Sequence, residues 1–213
     1  DLDFTGGADF TRASLSELAA VLIEHLQRKY GLIVEVAEPT REVGKVDTWR
    51  LKVQICPGQR DLPAQRINID ICAIPSYQTR PTMLRNHYGV DMGTSGLIIQ
   101  AQSREEILAD KLVAFALRPN RLKNRDLWDI HWLHQQGVVL PLELLPSKLR
   151  DHQCELPRFI ALLAERQEAL LGEPKLRAEF QQEMRRFLPA QLVAETVDSA
   201  DFWSYLTTLV ASE

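Results

Sequence analysis

Near residue 103 the apolar residues of this 213-residue chain change period, and that change limits the folds open to it. Before it, apolar and polar positions alternate. After it, apolar positions recur every three or four residues. Alternation marks a half-buried strand, and the longer period marks an amphipathic helix. The expectation is an α/β (α+β) chain: a small mixed β-sheet core over residues 1–102, then a helical half over 103–213.

The strand-like stretches are "LIVEVAE", "WRLKVQICP", "QRINIDICAIP" and "GLIIQAQ". In the third, Ile67, Ile69 and Ile71 share one face and Asn68, Asp70 and Cys72 the other. The opening "DLDFTGG" alternates too. As a strand it sends Asp1 and Asp3 one way and Leu2 and Phe4 into a core, before Gly6 and Gly7 turn the chain. Like charges that close repel unless something positive neutralises them: a divalent metal, a basic side chain, or water. If the strand carrying Asp70 is a neighbour, three carboxylates converge. Hard oxygen ligands of that kind suit Mg²⁺ or Mn²⁺. The plain alternative is three aspartates on solvent-facing positions.

Between the glycines and the first clear strand, "ASLSELAAVLIEHLQRKYG" reads as a helix, with a Ser14/Glu17 capping box and Gly31 at its far end. "SYQTRPTMLRNHYGVDMGTSG" reads as a long irregular segment of the kind that often carries function.

The helical half opens at "SREEILADKLVAFALR", with a second capping box at Ser103 and Glu106. On a helical wheel Ile107, Leu108, Leu112 and Phe115 form a stripe, and Lys111 falls inside it, with Arg118 two turns along. A lysine on a packed face is costly unless it snorkels or meets an anion. The next helix, "NRDLWDIHWLHQQG", sets Asp126 between Ile130 and Leu133, with Asp129 beside it. Two accounts are open: a Lys111–Asp126 salt bridge between helices, or a cleft where Lys111 holds a phosphate and Asp126 works beside a metal. Local rules break most often at functional sites, which favours the cleft.

Other signals are weaker. A net charge of −4 argues against a protein that coats nucleic acid. It leaves room for a local basic patch. "RPNRLKNR" carries Arg118, Arg121, Lys123 and Arg125 with no acidic residue, either as a solvated loop or as a phosphate site. His131 and His134 have zinc-like spacing but no third ligand in pattern. Cys56, Cys72 and Cys154 are odd in number, lack metal-ligand spacing and read as reduced thiols. No G-x-S-x-G, Walker or G-x-G-x-x-G motif is present. Without a long apolar run or a secretory leader, a soluble cytoplasmic protein with no membrane partner is expected.

"DLDF", "INIDIC" and "SREEILADKLVAFALR…NRDLWDI" together resemble the AbiEii/AbiGii nucleotidyltransferase-like toxins, part of the DNA-polymerase-β-type nucleotidyltransferase superfamily. The likeness covers roughly residues 1 to 135. It implies that Asp1 and Asp3 are the metal-binding D-x-D, Asp70 the third strand carboxylate, Lys111 the helix lysine at the nucleotide, and Asp126 the aspartate of the R-D motif. Arg118 and Arg125 are assigned to phosphate binding. The family has a Gly-Ser pair upstream of D-x-D; nothing precedes Asp1 here, and a strand starting at residue 1 leads us to expect further chain before it. The resemblance also implies an NTP substrate, a tRNA acceptor, a cognate antitoxin and a place in phage defence. The rival expectation is a catalytically inactive nucleotidyltransferase fold serving as a binding or assembly protein.

Overall fold

The computed structural model describes residues 2–40, 46–56, 63–86, 89, 93–119 and 122–212, residues 211 and 212 by backbone alone. Asp1 and Arg121 lie outside these. The chain divides into two compact units, Asp1–Ser76 and Tyr77–Glu213.

The first unit holds β1 (Leu2–Thr5), α1 (Leu18–Tyr30), β2 (Ile33–Ala37), β3 (Val46–Gln54) and β4 (Gln65–Cys72). They form a four-stranded sheet in the order β1-β4-β3-β2. β1 runs parallel to β4, and the other two pairs are antiparallel. Alternation does what the sequence pattern requires. Val34, Trp49, Leu51, Val53, Ile69 and Ile71 are buried on one face, where Leu18, Leu22 and Leu26 of α1 pack against them. Residues of opposite parity form the polar face. α1 ends at Gly31, whose φ of 65° is the left-handed cap conformation and whose N–H bonds back to Gln27.

Two local expectations fail. Leu2 and Phe4 are on the same face as Ile69 and Ile71 but stay 51% and 53% exposed. β1 is an edge strand, and the covering helix α1 packs at the opposite edge, against β2. Nor does Ser14 cap α1. It sits in a 3-10 turn (Arg12–Leu15) with its hydroxyl donating to the Thr11 carbonyl, and the helix begins at Leu18. The two glycines are explained by the turn after β1. Gly7 has φ 83°, and a Cβ on Gly6 would lie 2.5 Å from the Phe10 ring.

The second unit begins with an antiparallel hairpin, β5 (Thr79–Met83) and β6 (Ile98–Gln102). Alternation alone groups β6 with the sheet half, whereas its contacts place it with the helices. β5 lies in the stretch read as irregular. The helices are α2 (Arg104–Leu117), α3 (Asn124–Gln135), α4 (Leu145–Asp151), α5 (Leu156–Gly172), α6 (Pro174–Met184), α7 (Ala190–Glu195) and α8 (Ala200–Ser212). Their shared core includes Leu112, Phe115, Leu127, Ile130, Phe180 and Leu206. Among the described residues no helix is long and apolar enough to cross a membrane.

Candidate active site

The parallel pairing of β1 with β4 sets Asp3 directly opposite Asp70. Neighbouring strands lie about 4.8 Å apart, so two carboxylates on one face at the same register sit side by side. Asp70 Oδ1 accepts a 2.6 Å hydrogen bond from Thr48, its partner on β3. Among the described residues neither carboxylate pairs with a cation. That is an uncompensated anionic rung, and its hard oxygen donors fit a divalent cation such as Mg²⁺. Asp1, outside the described residues, has the same parity as Asp3. Among the described residues no group of three or more His, Cys, Asp or Glu side chains could hold a metal ion.

In the second unit Lys111, Arg118 and Asp126 come together. Lys111 Nζ lies 3.0 Å from Asp126 Oδ1 and 2.6 Å from Asp129 Oδ2. Arg118 reaches Asp126 Oδ2 at 3.0 Å. The Asp126 side chain is 3% exposed, while those of Lys111 and Arg118 are 27% and 38% exposed. The salt-bridge account of Lys111 is therefore present in the geometry, yet both cations still reach solvent. Burial by itself would lower the Lys111 pKa. The hydrogen bond to Asp129 and the charge of Asp126 outweigh it and hold the pKa above its ordinary value.

Why these helices carry the charges there is local. α2 is buried around Leu108, Ala109, Leu112, Val113, Phe115 and Ala116. Ile107 and Lys111 lie at the margin of that face rather than within it, because α3, α4 and α5 all pack on α2 and shift the buried centre. Asp126 falls in the first turn of α3, where the helix dipole favours a carboxylate. Arg166 donates to the Arg118 carbonyl, fixing the end of α2.

Arg125 does not join this cluster. Its Nε lies 4.0 Å from Glu183, and its guanidinium stacks over Phe187 at 5.0 Å. One position along a helix is a rotation of about 100°, enough to turn Arg125 away from its neighbour Asp126. His131 is buried among Trp128, Phe202 and Tyr205 rather than facing a ligand site.

The sequence profile described as "Nucleotidyl transferase AbiEii toxin, Type IV TA system" matches residues 1–208. The chain belongs to that family. No curated protein matches it at a significant level. Family membership makes it a nucleotidyltransferase toxin of the type IV kind and implies a cognate antitoxin. The mixed α/β fold agrees.

Sequence reasoning missed one ionic group in this AbiEii-family chain. Ser103 Oγ accepts from the Glu106 N–H at 3.1 Å, so half of the capping box forms. The other half does not. The buried Glu106 carboxylate instead accepts from the Tyr77 and Gln78 N–H groups at 2.8 and 2.7 Å. It also meets Lys148 of α4 at 2.5 Å, and Lys148 reaches Asp110 at 2.8 Å. Asp110 in turn accepts from Gln102. The short "LPSKLRD" segment gave no period from which a buried Lys148 could be read.

Proposed function

We propose that this toxin transfers a nucleotide from an NTP to the 3′ end of an RNA, tRNA foremost, with a divalent cation as cofactor. The Asp3–Asp70 register supports this reading: two carboxylates share a rung, and among the described residues neither is paired with a cation. Asp3 and Asp70, joined by Asp1, would hold the metal. When bound, it would offset charge on the triphosphate as the phosphoryl bond is exchanged. The acceptor hydroxyl oxygen bonds to the α-phosphorus, pyrophosphate leaves, and the hydroxyl proton passes to a carboxylate of the rung. The Thr48 bond engages Oδ1 of Asp70 and leaves Oδ2 for that proton.

Lys111 and Arg118 are the cations we assign to the phosphates. Asp126 touches both, and with its two oxygens engaged it is a positioning residue that holds them in place. Preorganised charge of this kind acts without reorganisation in the transition state. A role in phage defence accompanies this reading through the family resemblance.

Incubation of the full chain with Mg²⁺, each labelled NTP in turn and total tRNA tests it. Label in RNA, lost in Asp3→Ala, is the expected result. Label in protein would overturn the RNA acceptor, and label in neither would overturn the transferase chemistry. The engagement of Asp126 by Lys111 and Arg118 also supports a second reading, an inactive fold acting as a binding protein. An active enzyme gains thermal stability with Mg²⁺ and its NTP; the binding protein does not.

A further inference from the structure

The rung holding Asp3 and Asp70 is one end of a ladder across the polar sheet face. β3 and β4 pair Thr48 with Asp70, then Arg50 with Asn68, then Lys52 with Arg66. β2 adds Ala37 beside Arg50 and Glu35 beside Lys52. Six of these side chains, Glu35, Ala37, Arg50, Lys52, Arg66 and Asn68, line an open depression of about 270 Å³ with Leu51. Successive residues on one strand face are about 6.7 Å apart. Arg50 therefore stands one step from the carboxylate rung, and Arg66 two steps, about 13 Å along the strands.

The charges on this face are unevenly matched. Lys52 is tied to Glu35 at 3.2 Å. Arg50 and Arg66 are exposed, and among the described residues neither is paired with a carboxylate. Ala37 leaves the floor beside Arg50 open. In a chain of net charge −4, two guanidiniums with no carboxylate partner among the described residues, one and two steps from an acidic rung, make a local strip of positive charge.

We propose that the polar face of β2, β3 and β4 is the track for the acceptor: the single-stranded 3′ end of an RNA lies along it, its hydroxyl at the Asp3–Asp70 rung and its preceding phosphates on Arg50 and Arg66. The assignment of the hydroxyl rests on the transferase reading above. The period of the cations favours a polynucleotide over a triphosphate. Arg50 on β3 and Arg66 on β4 present a guanidinium at each of two successive rungs, which suits the repeating phosphates of an extended backbone crossing the two strands. A triphosphate held at the carboxylate rung is too short to span both. Asn68 between them adds polar contact without charge, and guanidinium groups suit phosphate through their fork of N–H donors.

The test measures binding of a fluorescent single-stranded RNA of about a dozen nucleotides to the full chain, together with label transfer, for wild type, Arg50→Ala/Arg66→Ala and Arg50→Lys/Arg66→Lys. The alanine pair is expected to bind the RNA about tenfold more weakly. Its slope of log affinity against log salt should fall by about 1.4, the value for two lost phosphate contacts on a single strand. KM for the NTP and the melting temperature should be unchanged, and the lysine pair should recover the salt slope. An alanine pair that binds RNA as the wild type does overturns the track, as does a rise in NTP KM with RNA binding intact. Wild-type chain that binds RNA through these arginines yet transfers no label supports the track and overturns the transferase reading alone.

Discussion

Glu106 and Lys148 meet at 2.5 Å inside the second unit, their side chains 0% and 2% exposed. Two buried charges are tolerated there because the remaining hydrogen-bonding capacity is used. Glu106 takes the amides of Tyr77 and Gln78, and Lys148 takes Asp110 as well. The group therefore ties the start of the unit, α2 and α4 to one another.

Breaking a buried pair from one side strands the other charge, at a typical cost of about 3–5 kcal/mol. Lys148→Met is expected to lose about 3 kcal/mol in urea denaturation. Glu106→Gln/Lys148→Met should lose less than the sum of its single variants, since neither charge is then left alone. A Lys148→Met midpoint equal to wild type would remove this role. Burial alone would lower the Lys148 pKa, but hydrogen bonds to Asp110 and Glu106 and their charges raise it above the ordinary 10.5. A raised cation stabilises the fold fully below that ordinary value and less as pH climbs through the folded one. The contribution should be flat from neutral pH to about 10 and decline only beyond it.

Asp3 stands on an exposed edge strand and has no packing role, so Asp3→Ala should leave the melting temperature within about 2 °C of wild type. If the Asp3–Asp70 rung carries the chemistry, label transfer should fall about 10²–10³-fold. Folded Asp3→Ala protein with full activity would detach the rung from the reaction.

Neighbouring residues on α3 should separate cleanly. Asp126→Asn removes the shared anion of Lys111 and Arg118, and should cost about 2–4 kcal/mol together with most of the transfer activity. Lys111→Ala should lose activity by a similar factor with a smaller stability cost, because Arg118 still pairs with Asp126 and the site is partly open to solvent. Arg125→Ala, turned toward Glu183 and Phe187, should keep kcat within about threefold of wild type. A large fall in kcat for Arg125→Ala in a folded chain would show that this arginine reaches the phosphates after all.

Features governed by local period are legible in the sequence. The Ile67–Ile69–Ile71 face, the Asp70 parity, the Gly31 cap and the Ser103 cap follow from spacing alone, and the structure has each of them. Burial set by distant partners was not readable. Leu2 and Phe4 have the pattern of core residues, but nothing in the alternation says that β1 is an edge strand that α1 does not cover. β5 was missed for the opposite reason: every residue of Thr79–Met83 is exposed and Pro81 interrupts it, so no alternation exists to detect. Within the candidate site, the pairing of Lys111 with Asp126 was foreseeable from two charges on two packed faces. The diversion of Arg125 to Glu183 was not, since its partner lies 58 positions along the sequence, on α6.

His131 offers a test of packing rather than chemistry. Its ring meets Phe202 edge-on at 4.9 Å and Tyr205 at 5.5 Å, and its Nδ1 has no hydrogen-bond partner among the described residues. Burial lowers its pKa below the ordinary 6.5, and nearby His134 lowers it further. The folded chain thus holds this imidazole neutral at a pH where the unfolded chain begins to take up a proton. The sign follows: the contribution is complete above 6.5 and is lost as pH falls through the folded value. Thermal midpoints of wild type should therefore drop as pH falls below 6.5. His131→Phe keeps an aromatic ring in the cage and removes the unpaired nitrogen, so it should match or exceed wild type at pH 7 and show a shallower acid slope. His134→Gln, at an exposed position, should leave most of that slope in place. Equal acid slopes for wild type and His131→Phe would mean that the buried imidazole is not what senses the proton.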